Sequence, residues 1–315
     1  MPSTRFDRPA IGSAARATTI AVVALALAVL VGLAQYLPDL ALEVRTATDV
    51  SAAPLGYLGR DWFWVAVTMT VLGAGVAATA DTRPRLGPAH TTPRIAALAV
   101  ATPIVLVAGL LLATAVLGTG LSDVARVAWP GSAGGTSLLA TAVVPAALLG
   151  AAATALFVGG VQHRLQTAFP AGPTVAVTTL LAGFCHWLLD PLSSTVAGPV
   201  VRLGVLALVV GAATTPYVLA GIRPAATVTD ALTPVRVAVL LAATVLCVGL
   251  AIDVLTGATT PAELAVATAW FAVYGVATTL YARSDGLAWP AVTLVGFQAL
   301  VFLAPHLESW TGLTG

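Results

Sequence analysis

The chain has 315 residues, of which 58% are hydrophobic and 9% charged, and its mean hydropathy is +0.97. About a quarter of a soluble domain is charged, so this composition excludes a water-facing globular body, and its apolar content excludes intrinsic disorder. Fourteen arginines and no lysine stand against thirteen acidic residues, and a net charge of +1 excludes the dense basic surface that a nucleic-acid partner requires. What remains is an all-α, polytopic helical membrane protein.

A hydrocarbon core about 30 Å thick takes about 20 helical residues to cross. Nine stretches meet that need, at roughly 17–37, 62–81, 94–118, 137–160, 173–190, 200–221, 234–256, 263–282 and 286–304. The first is followed by Leu33-Ala34-Gln35-Tyr36, which lacks the small-x-small cleavage pattern of a signal peptide, so it reads as a retained helix. Pro38 to Asp61 is the longest polar segment and predicts a surface loop. Pro84 and Pro88 precede Thr92-Pro93-Arg94, where Pro93 suits a first helical turn because its missing N–H is not needed there. Gly118 to Gly120, Gly131 to Gly135, Pro191 and Thr233-Pro234 separate later stretches. Pro103, Pro145, Pro216 and Pro290 fall inside or at the start of apolar runs, where neighbours must satisfy the carbonyls they free. The organisation expected is an N-terminal three-span region (1–136), a membrane core (137–304) and a short tail (305–315).

Arginine marks the cytoplasmic side of a membrane protein. With the N-terminus inside, the inner segments hold Arg5, Arg8, Arg16, Arg83, Arg85, Arg94, Arg164, Arg223, Arg236 and Arg283, and the outer ones hold Arg45, Arg60, Arg126 and Arg202. This bias predicts a multi-pass protein of the cell membrane with its N-terminus in the cytoplasm and its C-terminus outside. Trp62, Trp64, Trp129, Trp187 and Trp310 then fall near the outer interface.

Ionisable residues within the hydrocarbon are costly, by about 2.5–3.5 kcal/mol at a helix centre, so each one is a candidate for function. They are His186 and Asp190, four residues apart on one helical face, and Asp253 late in the seventh stretch. A carboxylate beside an imidazole can fix its tautomer for proton transfer or metal binding. His186 and Asp190 supply two ligands at most, short of a three-ligand metal site, so no metal or other cofactor is expected. Gln298 in the last stretch suits an interhelical hydrogen bond, and His163-Arg164 an anchor at the inner interface. Cys185 and Cys247 read as small buried apolar side chains.

The segment Val144–Trp187, VPAALLGAAATALFVGGVQHRLQTAFPAGPTVAVTTLLAGFCHW, resembles the core of the CPBP family of intramembrane proteases, the CAAX-processing and bacteriocin-immunity group. In that family a Glu-Glu-x-x-x-Arg motif runs into Gly, a Phe-x-x-x-His motif follows on the next span, and a His-x-x-x-Asn or Asp motif comes later. Leu156-Phe157-Val158-Gly159 stands where the apolar pair, Arg and Gly would be, and His186 follows Val158 at the familiar separation. Tyr281-Ala282-Arg283-Ser284-Asp285-Gly286-Leu287-Ala288-Trp289-Pro290 resembles the turn into the third motif. The resemblance covers roughly residues 139 to 303 and leaves the first three spans unexplained.

In this register the motif is degenerate. Ala153 and Thr154 replace the glutamates, Val158 the arginine and Ala182 the phenylalanine, while the third motif falls at Val295 and Ala299, or at Gly296 and Leu300, with neither His nor Asn present. Only His186 survives as a catalytic candidate. An alternative register on Gly159, Gly160 and Arg164 keeps the arginine but lacks both carboxylates and spoils the spacing to His186. General-base catalysis contributes about 10²–10⁴-fold, and the chain lacks the carboxylate that the resemblance assigns to it. The resemblance therefore implies a pseudoenzyme that binds a membrane peptide, lipid or partner protein within the bilayer, with Asp190, Asp253 and Gln298 as polar partners of the site. Two alternatives are an endopeptidase rebuilt around His186 and a small-solute transporter, although the chain shows no convincing repeat.

Overall fold

The computed structural model describes residues 13–34, 36–47, 60–125, 142–189 and 260–311. Among them the chain is all helical, without a strand. Its helices are α1 (Ser13–Ala34), α2 (Leu37–Ala47), α3 (Asp61–Ala78), α4 (Pro93–Val116) and the short α5 (Leu121–Val124). One continuous rod follows, made of α6 (Val144–Ala153), a π-helical segment π1 (Thr154–Gln162) and α7 (His163–Ala168). Then come α8 (Ala171–Leu189), α9 (Pro261–Ser284), α10 (Ala288–Phe302) and α11 (Ala304–Thr311).

Helices thus occupy seven of the nine stretches expected; those at 200–221 and 234–256, with Asp190, Asp253 and Cys247, lie outside the described residues. Among the described residues four helical rods are long and apolar enough to cross a membrane: α3, α4, the α6–π1–α7 rod and α9. A fifth is the bent pair Thr18–Ala34 and Leu37–Thr46, whose axes differ by 46°. The second helix of that pair, α2, corrects the first part, residues 38–47, of the surface loop expected over Pro38 to Asp61; residues 48–59 lie outside the described residues. Leu37 and Ala41 are buried one turn apart while Asp39, Glu43 and Arg45 are exposed, so residues 37–47 form an amphipathic helix.

The α4 start is built as its sequence requires. Thr92 is the N-cap and accepts a hydrogen bond from the Ile95 amide at 3.3 Å, with Pro93 in the first turn. The α9 start is a full capping box, with Thr260 and Glu263 bonding each other's backbone amides.

Glycines set the closest helix crossings. A Cβ on Gly73 of α3 would lie 2.6 Å from the Ala155 carbonyl of π1, and one on Gly150 of α6 would lie 2.6 Å from the Val295 Cα of α10. Without a hydrophobic drive between helices in lipid, such close backbone approach supplies the van der Waals contact that holds a bundle together. Gly296, on the other side of α10, faces the Pro103 ring of α4.

Helix ends sort onto two faces. At one, the segment joining α3 to α4 folds over the α9–α10 turn. Ser284 O accepts from the Ala89 and His90 amides, Arg85 O accepts from the Leu287 amide, and Arg85 pairs with Asp285 at 3.5 Å. Asp285 caps α9 in the left-handed conformation with φ 51°, and Gly286 has no room for a side chain because Gly87 and Pro88 lie on it. Arg16 lies 6.0 Å above the Phe169 ring at this same face. At the other face Glu308 of α11 accepts from the Ser122 amide and hydroxyl of α5. Among the described residues the first face holds Arg16, Arg83, Arg85, Arg94, Arg164 and Arg283 against Asp81 and Asp285. The second holds Arg45 and Arg60 against Asp39, Glu43, Asp61, Asp123, Glu263 and Glu308.

Candidate functional site

Helices α8 and α9 run antiparallel. Thr179 meets Thr278, Gly183 meets the Phe271 ring, and His186 meets Trp270. The His186 ring lies over the Trp270 ring, with centroids 3.6 Å apart and planes inclined by 31°. Trp270 in turn meets Phe297 of α10 edge-on at 4.8 Å, and Tyr274 meets Phe157 of π1 edge-on at 5.5 Å. His186 is therefore one end of an aromatic column that ties α8, α9, α10 and π1 together. Edge-to-face pairs of this kind add about 0.5–1.5 kcal/mol each beyond the area they bury.

The residues singled out from the sequence fall around this column. Ala153, Thr154, Val158 and Ala182 are all buried. The Thr154 hydroxyl is turned back onto its own helix, donating to the Gly150 carbonyl at 2.8 Å. Thr154 and His186 stand at matching depth, since Phe157, in the turn after Thr154, meets Tyr274, one turn from Trp270. They are linked through these rings and not by a hydrogen bond to each other. Val295 is pressed backbone to backbone against Gly150, and Ala299 is half-buried. Gln298 is also half-buried and makes no hydrogen bond to the described residues, so the interhelical bond expected for it does not form among them.

His186 has no carboxylate or hydroxyl hydrogen-bonded to it among the described residues, and Asp190 and Asp253 lie outside them. Within the same limits no group of three or more His, Cys, Asp or Glu side chains could hold a metal ion. No known protein family, curated protein or solved structure matches this chain. Its site is therefore read from its own residues.

A second polar set, which sequence reasoning did not assemble, lies nearer the arginine-rich face. His163, expected as an anchor at the inner interface, joins three elements through its ring. Nε2 lies 2.7 Å from the Thr82 carbonyl and Nδ1 lies 2.8 Å from the Tyr281 hydroxyl. A carbonyl can only accept, so Nε2 carries the proton and donates; in the neutral ring Nδ1 then accepts from Tyr281. Next to it the fully buried Gln162 donates from Nε2 to the Thr278 carbonyl at 2.8 Å, and Thr278 and Thr179 share a hydroxyl contact at 3.0 Å. The signal was present in Gln162-His163 within an apolar run and in the paired threonines 178–179 and 278–279. Their common depth, however, depends on helix pairing that one sequence does not display.

Proposed function

We propose that this chain is a non-catalytic integral membrane protein, a degenerate relative of the CPBP intramembrane proteases, which binds a membrane peptide, lipid or partner protein within the bilayer. One observation carries the reading: the positions that would hold a protease's catalytic groups are filled by packing. Val295 is closed against Gly150, the Thr154 hydroxyl is occupied by its own helix, and the His186 ring lies tilted over Trp270. Water activation needs a base within hydrogen-bond reach of a water and room for the tetrahedral carbon beside it. Packing of this kind supports a cohesive helix junction at this site.

The purified protein in lipid, offered prenylated CAAX-type peptides and a membrane-protein library, is expected to give no turnover, with or without His186→Ala. Cleavage that disappears in that variant would overturn the reading in favour of a rebuilt protease.

We further propose nine spans, with the N-terminus in the cytoplasm and the C-terminus outside. The charge difference between the two faces supports the orientation, because positive charge is retained on the cytoplasmic side. The placement of the described helix ends on either side of residues 190–259 supports the count. Antiparallel pairing of α8 with α9 puts Leu189 and Pro261 at the same end of the bundle, so the intervening chain returns to the face it left, and its two apolar stretches suit one crossing each way. A reporter fused after Gly315 is expected to work only on the outer side. Activity confined to the cytoplasm would reverse the orientation.

A further inference from the structure

We propose that the bundle interior holds a structural water site between Thr178 of α8 and Gln162 of π1. Gln162 is fully enclosed, and donation from its Nε2 to the Thr278 carbonyl fixes which way the amide faces, since the reverse orientation would set two oxygens against each other. Its Oε1 is left as a buried acceptor with no donor among the described residues. Thr178 is also fully enclosed and differs from its neighbours. Thr154, Thr174, Thr179 and Thr278 each return the hydroxyl to the carbonyl four residues back, at 2.8–2.9 Å. The Thr178 hydroxyl has no hydrogen-bond partner among the described residues.

The two groups share a level. On α8 the exposed side is marked by Ala176 and Leu180, and Thr178 lies opposite it, at the centre of the buried face. Thr179, the next residue, touches Thr278, whose carbonyl holds Gln162. An unused donor on α8 and an unused acceptor on π1 are therefore placed at one level of the α8–α9–π1 junction, without a direct bond. An unsatisfied amide or hydroxyl is costly in a hydrocarbon interior, where bulk water cannot reach it. One water accepting from Thr178 and donating to Gln162 satisfies both and meets the two-partner minimum for a buried site.

The chemistry favours a neutral occupant. Neither π1 nor α8 carries a carboxylate, and the only one on α9, Glu263, is at the opposite end of that helix. A bare cation at this depth would find no counter-charge on these three helices, which is what makes buried ions expensive. The site would fasten α8 to the π-helical segment independently of any binding role.

A double-mutant cycle in lipid nanodiscs tests this. Thr178→Val is expected to lower Tm by about 2–4 °C, as for the loss of one buried interaction in a protein of this size. Thr178→Ser, which keeps the hydroxyl, should recover most of that loss. Gln162→Met should cost more, because it also breaks the bond to Thr278. Adding Thr178→Val to Gln162→Met should cost little further, since one shared water is lost once. Strict additivity, or a Thr178→Val protein as stable as the parent, would overturn the proposal. So would a Tm that rises when sodium chloride replaces choline chloride and loses that response in Thr178→Val, which would identify a cation site instead.

Discussion

Replacing Gly150 by alanine is expected to loosen the whole core. The added Cβ would lie 2.6 Å from the Val295 Cα and 2.8 Å from its amide nitrogen, and backbone cannot rotate out of the way as a side chain can. Overpacking of this kind costs about 1–3 kcal/mol. At about 2–4 °C per kcal/mol, that is a Tm drop of about 2–12 °C. Gly150→Leu should prevent the α6–α10 pairing altogether. The internal control is Gly109 of α4, also helical, where a Cβ would meet nothing within 4 Å. Gly109→Ala should leave Tm unchanged or raise it, because alanine is the better helix former by about 1 kcal/mol. Thermal unfolding of both variants in one lipid decides the matter: equal tolerance at the two positions would mean that α6 and α10 do not approach as described. The contact also bears on the proposed function, because Val295 holds the place where a third catalytic motif would stand.

Much of this architecture was legible in the chain because membrane burial leaves coarse marks. Apolar runs of about 20 residues fixed where helices lie, Thr92-Pro93 fixed the start of α4, and Gly118, with φ 71°, marks its end. The alternation of spans also predicted which ends would meet, and the contacts of Ser284 with Ala89 and of Glu308 with Ser122 obey it. What was not legible depends on partners. Leu37 to Ala47 looked like a loop because its proline and charges outweighed a faint Leu37, Ala41, Val44 spacing. The π-helical segment has no composition signal, since Thr154 to Gln162 reads as any small apolar helix; the close approach of Gly73 to Ala155 exists only once α3 is in place. His163 likewise gave no sign of Thr82, 81 residues away in sequence, or of Tyr281, 118 away. At His186 the sequence offered Asp190 as a partner, while the described neighbour is Trp270, an aromatic contact that no spacing rule couples to a histidine 84 positions earlier.

Pro103 provides the second large effect. A proline inside a helix removes the N–H that would bond the carbonyl four residues back, here that of Ala99. In α4 that carbonyl accepts instead from the Thr293 hydroxyl of α10 at 3.2 Å, and Thr293 is fully buried. The same hydroxyl also lies 3.0 Å from the Trp289 carbonyl of its own helix, so one hydrogen serves two acceptors across the α4–α10 contact. Thr293→Val keeps the shape and removes the donor. It is expected to cost about 1–3 kcal/mol, the penalty for leaving a buried carbonyl unpaired. The diagnostic outcome is its dependence on Pro103. In Pro103→Ala the alanine amide can bond Ala99 directly, so Thr293→Val should cost much less in that background than in the parent chain. Pro103→Ala alone loses the ring that packs against Gly296, at 3.2 Å from where a Cβ would lie, so it is the coupling and not either single value that reports the bond. An equal cost of Thr293→Val in both backgrounds would show that the Ala99 carbonyl is satisfied in some other way.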